Sequence, residues 1–419
     1  MKKLLLLVAI FCLVSSPAFA IFRYVGGDIS LLPDYEKAGA QYKDHDGKPI
    51  SSLLPWLHEQ GMNAMRVRLF VNPADYPGTK DEPKDPNACQ DLDYILPLCK
   101  QIKEAGLDLM LDFHYSDFWA DPAKQWTPKA WEGLTDDQLY DKIYEYTKET
   151  LVTLKENGIV PAFIQPGNEI SYGMLWGPVG TSNPKKALMG SNANWERLGK
   201  LLNRAIQACR EECPEAKIIL HTERVTQTDV QKNFYDKMKQ LNVDYDIIGL
   251  SYYPYWHGPL TVLEAALNSL EQYFPEKNIM IVETGYSYAW EVPGTDQKVD
   301  YPYTDAGQNQ FAKDLVDTLR KHEKVDGLFW WWMEYNAKGT SLSGWYNAPL
   351  FDSRTGQATS ALKTICSFAD GNDAAVDFLP VDPADDGSPR QWYNLQGQPV
   401  DNPTLPGIYV SRDKKIIIR

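Results

Sequence analysis

Eight short apolar runs, each followed by a longer amphipathic stretch or a long loop, leave this chain few architectures. The runs are Tyr24–Ser30, Ala64–Phe70, Leu107–His114, Ala162–Glu169, Lys217–Thr222, Ile247–Tyr253, Asn278–Glu283 and Gly327–Met333. Helical patterns lie between them at Leu53–Gln60, Asp91–Ala105, Asp136–Asn157, Asn194–Glu212, Thr228–Leu241, Leu260–Phe274 and Ala306–His322. Runs this continuously apolar suit strands buried on both faces, the condition of a parallel sheet covered by helices. The repeated alternation predicts an α/β fold, a (β/α)₈ TIM barrel with a small C-terminal β tail. Thr135 before Asp136-Asp137 suits a helix start, and Gly61 and Gly106 suit helix stops.

The ends of the chain read differently. Lys2 and Lys3, the apolar stretch Leu4–Leu13 and Ala18-Phe19-Ala20 form an export signal over residues 1–20. No later apolar run is long enough to span a bilayer. The product is therefore expected outside the cytoplasm, as an extracellular, cell-surface or periplasmic monomer. The barrel is expected over 21–368, a linker rich in Asp, Ala, Gly and Pro over 369–390, and a short β tail over 391–419. That tail weakly resembles the sorting tails of type IX-secreted proteins, through Tyr393-Asn394-Leu395-Gln396-Gly397-Gln398 and Gly407-Ile408-Tyr409-Val410. A plain β appendage accounts for it equally well.

A net charge of −14 disfavours nucleic acid as a partner, because phosphates repel it. Thirteen Trp and 24 Tyr serve either a large core or sugar-stacking faces, and composition does not separate these. After the signal, Cys89, Cys99, Cys209, Cys213 and Cys366 remain, an odd number without metal-ligand spacing. Disulfides at 89/99 or 209/213 and free thiols both stay open. No zinc motif, phosphate-cradling glycine loop or nucleophile elbow is present.

Chemistry concentrates where strands end. In a (β/α)₈ barrel that rim carries the active site, and the fourth and seventh runs end in Asn168-Glu169 and Glu283. An isolated Asn-Glu pair is usually a cap or a loop. Two glutamates on such strands match the paired carboxylates that cleave glycosidic bonds, one protonated as acid and one ionised as nucleophile. Asn168 is placed to bond a sugar 2-hydroxyl. Arg66 and Arg68 share a strand face and would hold a nearby carboxylate ionised, although rim salt bridges account for at least one of them. Asp112, His114, Asp117 and Trp119 follow on the third run. His221 ends the fifth and Tyr252-Tyr253 the sixth. A lone His is more often structural, but two at the rim favour substrate contact.

These residues resemble a known family. Leu111-Asp112-Phe113-His114-Tyr115-Ser116-Asp117-Phe118-Trp119-Ala120-Asp121-Pro122 is similar to a motif of glycoside hydrolase family 53, the endo-β-1,4-galactanases. So are Gln165–Ile170 with Gly173–Trp176, Gly249–Gly258 and Val282–Tyr286. The resemblance spans about Tyr24 to Phe368. It implies a barrel with catalytic glutamates on strands four and seven: Glu169 as acid/base, Glu283 as nucleophile, net retention of configuration, and β-1,4-galactan of pectin as substrate. No cofactor is implied as required. The family tends to carry one Trp followed by Glu-Pro at the end of strand eight. Here Trp330-Trp331-Trp332-Met333-Glu334 departs from that, and Trp331 is the favoured platform. Some members hold calcium after strands seven and eight, where Glu291, Asp296 and Asp300 supply acids without singling out a site. The competing readings are an endo-glycanase of the same clan acting on mannan, xylan or β-glucan, and a non-catalytic glycan-binding barrel.

Overall fold

The computed structural model describes residues 22–80, 82–188, 190–289, 291, 292, 295, 300–335 and 348–370, and the backbone of four short strands after residue 391. The expected export signal over residues 1–20, residues 371–390 of the expected linker, and Asp296 lie outside the described residues.

Eight parallel strands close in sequence order into a barrel. They are β1 (Tyr24–Asp28), β2 (Ala64–Leu69), β3 (Asp108–Phe113), β4 (Phe163–Pro166), β5 (Lys217–Thr222), β6 (Ile247–Tyr252), β7 (Asn278–Thr284) and β8 (Val325–Trp330). The TIM barrel expected from the alternation is therefore present. Around it run α1 (Leu32–Lys37), α2 (Leu53–Glu59), α3 (Leu92–Glu104), α4 (Asp136–Glu156), α5 (Asn192–Glu212), α6 (Thr228–Gln240), α7 (Pro254–His257), α8 (Leu260–Tyr273), α9 (Asp305–Leu319) and α10 (Ser360–Cys366). Thr135 caps α4 in a reciprocal box with Gln138. Gly61 and Gly106 take φ of 104° and 78°, the left-handed turn that ends a helix without a Cβ clash.

The barrel interior is layered. Inward side chains at the lower end are apolar: Ala64, Met110, Phe163, Ile219, Ile247, Met280, Val282 and Phe329 form one buried cluster. Space there is tight. A Cβ on Gly327 would sit 2.4 Å from Met280 Cγ, so only glycine lets that methionine fill the barrel. Because side chains alternate along each strand, the next inward positions up form a polar layer directly above this plug.

Two local features aim the functional residues. β4 is only four residues long, shorter than the expected Ala162–Glu169. Gly167 turns the chain at φ 103°, so Asn168 and Glu169 stand on the turn and not in the strand. β7 carries a bulge, since Leu250 pairs with Ile281 but Ser251 pairs with Glu283. Val282 is the extra residue. Plain alternation from Met280 and Val282 would send Glu283 outward, and the bulge re-aims it into the barrel mouth.

The cysteine alternatives resolve to free thiols at 89, 99, 209, 213 and 366. Among the described residues no helix is long and apolar enough to cross a membrane. Residues 373–419 belong to a second unit, where β9 (Trp392–Asn394), β10 (Pro399–Val400), β11 (Gly407–Ser411) and β12 (Lys414–Ile418) pair antiparallel in the order β10-β9-β11-β12.

Candidate active site

Arg66 organises the polar layer. Its buried Nη2 donates to Asp112 Oδ2 and to Asn168 Oδ1, both at 2.8 Å, and pairs with Glu283 Oε1 at 2.9 Å. Nη1 lies 3.5 Å from Asp28 Oδ2. Burial alone would lower the guanidinium's pKa, but Asp112, Glu283 and Asp28 together raise it and keep it charged. Burial likewise opposes the charge of Asp112, yet Arg66 and His114 hold its carboxyl below the usual range.

Glu283 sits between this cation and a phenol. Tyr253 donates from its hydroxyl to Oε2 at 3.0 Å, and burial keeps that phenol protonated. Burial pushes Glu283 up to about 7, while Arg66 and Tyr253 pull it down.

Glu169 occupies the left-handed region at φ 47°, ψ 54°, a strained backbone for a residue other than glycine. Its carboxyl is pushed well up, by burial first and then by the charges of Glu283 and Glu223, with a bond to Ser251 opposing. No cation is among these influences. One oxygen of Glu169 and one of Glu283 lie within 4.8 Å of each other. Both carboxyls are raised, and Arg66 and Tyr253 oppose the rise at Glu283.

His221 supports this pair from below. Its Nδ1 is 3.0 Å from Asn168 Oδ1 and its Nε2 is 2.8 Å from Ser251 Oγ. Burial and the nearby Arg66 lower its pKa well below 6.5, so the ring is neutral and bridges the turn to Ser251.

Comparison with known proteins gives this constellation a relationship. The family model for glycosyl hydrolase family 53 matches residues 24–365. The chain belongs to glycosyl hydrolase family 53. A protein of Neosartorya fischeri named probable arabinogalactan endo-β-1,4-galactanase A is 32% identical over 378 residues, 86% of this chain and 98% of that one. The Aspergillus niger arabinogalactan endo-β-1,4-galactanase A is 30% identical over 342 residues, 77% of this chain and 89% of its own. The Ignisphaera aggregans family 53 catalytic domain superposes with a TM-score of 0.71 at 31% identity, covering 83% of this chain and 97% of that domain.

Within this family 53 barrel, the residues singled out from sequence take several positions. Arg66, Asn168, Tyr253 and Glu283 meet around one point. Asp112, His114 and His221 lie beneath them and hold others in place. His114 has its Nε2 3.1 Å from Asp112 Oδ2 and its Nδ1 accepts from Ala120 N. His221, with no exposed surface, holds the turn that carries Asn168 and Glu169, which corrects the expected substrate contact. Arg68 donates to Asp28 Oδ1 at 2.7 Å, under the rings of Trp119, Trp331 and Trp332 at 4.7, 5.4 and 5.0 Å. Trp331 also lies over Arg66 at 5.6 Å. Trp330 turns outward and donates to Ala348 O.

Two residues leave the site. Tyr252 alternates to the helix side, stacks near Phe311 and donates to Gly258 O. Asp117 accepts from Asn72 N and Lys129 N, so it ties two loops together.

Sequence reasoning missed Gln165, Ser251 and Glu223. Glu223 follows β5 and ion-pairs with Arg224 at 2.8 Å, and the pattern that flagged Glu169 and Glu283, a carboxylate at a strand end, also describes it. Among the described residues the one metal-like grouping is Glu169, His221 and Glu283. Both His221 nitrogens already face protein partners, so this set offers a metal no free imidazole.

Proposed function

We propose that this family 53 chain is an exported, retaining endo-β-1,4-galactanase acting on the galactan side chains of pectin. The observation that carries the reading is the carboxylate pair within 4.8 Å, with Arg66 on Glu283 alone. Retaining enzymes hold their carboxyl groups about 5–5.5 Å apart and inverting ones about 6.5–9.5 Å. The galactan preference draws on the relatives' names, and export on the leader pattern over residues 1–20.

The Glu169 proton passes to the glycosidic oxygen while Glu283 attacks the anomeric carbon. The C–O bond breaks and a glycosyl ester forms on Glu283. Glu169, now ionised, takes a proton from water as that water attacks the same carbon and frees Glu283. Arg66 and Tyr253 stabilise the departing carboxylate. Two carboxylates and water complete the cycle, so no cofactor is required.

Product analysis on β-1,4-galactan against mannan, xylan and β-glucan tests substrate and mechanism together. Galacto-oligosaccharides should be released from galactan, first as the β-anomer by NMR, and Glu169→Gln and Glu283→Gln should each lose turnover. Release only from another polymer, or a first-formed α-anomer, overturns the reading.

A further inference from the structure

A cavity of about 470 Å³ is lined by Pro122, Ala123, Tyr172, Lys186, Leu188 and Arg224. Three of its walls grow from the neighbourhood of Glu169. Tyr172 closes the short turn that Glu169 begins. Arg224 follows Glu223, and Pro122 follows Asp121, two carboxylates whose charges act on Glu169. On the galactanase reading, on which this inference rests, Glu169 protonates the leaving group. Its flank is then where the leaving-group sugars lie.

The cavity's charge is out of keeping with a neutral polymer. The Arg224 guanidinium lies 4.6 Å from the centre of the Tyr172 ring, with its Nε 2.8 Å from Glu223 Oε1. Lys186 Nζ stands 5.4 Å from the Tyr172 ring and 4.7 Å from Trp176. Among the described residues Lys186 has no carboxylate partner. Two cations thus share one carboxylate, on a chain whose net charge is −14. Hydroxyl groups of galactose need no such pair. A sugar carboxylate does, because a charge-assisted bond is roughly twice as strong as a neutral one, and Pro122, Leu188 and the aromatic edge suit the apolar face of a pyranose.

We propose that this cavity is a leaving-group-side subsite for a hexuronate, with Lys186 and Arg224 receiving its carboxylate. Cleavage is then favoured where a galactan segment adjoins an acidic sugar. The probes are two galacto-oligosaccharides differing only at the leaving-group end, one bearing a hexuronic acid and the other its uncharged carboxamide. Wild-type kcat/KM should be about fivefold higher for the acid, as a partly exposed charge contact allows. That ratio should fall toward one at raised ionic strength, and in Lys186→Met and Lys186→Gln. Equal kcat/KM on the two probes, or a ratio that survives both salt and substitution, overturns the subsite while leaving the galactanase reading intact. Failure to cleave either probe, or galactan itself, overturns both.

Discussion

Replacing Tyr253 by Phe isolates one of the two groups that keep Glu283 ionisable. The hydroxyl donates to Glu283 Oε2 at 3.0 Å, in a site where burial already pushes that carboxyl up to about 7. A hydrogen bond to a charged group contributes about 1.5–3 kcal/mol, and one pKa unit corresponds to about 1.4 kcal/mol. Losing the donor disfavours the carboxylate, so the pKa rises by about one to two units. The nucleophile is then ionised only at higher pH, and the acidic limb of kcat/KM moves up by the same amount. Below both limbs the variant should be roughly 10- to 100-fold slower than wild type, with the gap narrowing as pH rises. The assay is kcat/KM on a chromogenic galacto-oligosaccharide from about pH 5 to about pH 10, with thermal melts confirming that the variant folds. An unmoved acidic limb with a pH-independent loss would refute the argument, because Tyr253 would then orient groups without tuning Glu283.

Two further substitutions separate the acid from its surroundings. Ser251 bonds Glu169 in the direction that favours its charged form, so Ser251→Ala should raise the basic limb of the pH profile by up to about one unit and leave the acidic limb in place; a downward shift contradicts this. Glu334 is fully buried, accepts from Leu31 N at 2.9 Å, and is pushed up to about 8 by burial and then by Asp28, with Arg68 opposing. A raised carboxyl contributes stability that is complete below its unfolded pKa, near 4.5, and is lost as pH rises through the folded value. Glu334→Gln keeps the acceptor for Leu31 and cannot ionise. Its Tm should match wild type at about pH 5 and exceed it by about 5–10 °C at about pH 9; identical pH dependence would show that Glu334 does not titrate in the fold.

The strands were legible because each is a run of apolar residues buried on both faces, and the long helices because an amphipathic face repeats over several turns. What failed was shorter or depended on register. α1 and α7 span six and four residues, too few for a helical period to stand out. The apolar run Ala162–Glu169 continues past the end of β4, although Pro166-Gly167 marks the break. The choice between Tyr252 and Tyr253 needed the inward register of β6, and the inward aim of Glu283 needed the bulge at Val282. Neither register nor bulge leaves a mark on hydrophobic periodicity, because apolar residues occupy both faces of these strands. Asp117 was legible as a rim acid but not as a loop tie, since its partners are the backbone amides of Asn72 and Lys129.

A glutamate at or just beyond a strand end occurs four times in this barrel, at 169, 223, 283 and 334, so that position alone does not select the proposed catalytic pair. Their surroundings do. Glu334 looks toward β1, where a backbone amide of Leu31 satisfies one oxygen and the other is enclosed, so no substrate reaches it. Glu223 is anchored by Ser171 and Arg224 and acts on Glu169 through its charge. Glu283 alone receives both a guanidinium and a phenol, the two donors that let a buried carboxylate ionise. Glu169 has burial and three neighbouring carboxylates, Glu283, Glu223 and Asp121, against it, which favours its protonated form. Opposed surroundings on two nearby carboxyl groups are what acid and nucleophile roles require. The assignment therefore rests on the placement of one cation, Arg66, more than on the glutamates themselves.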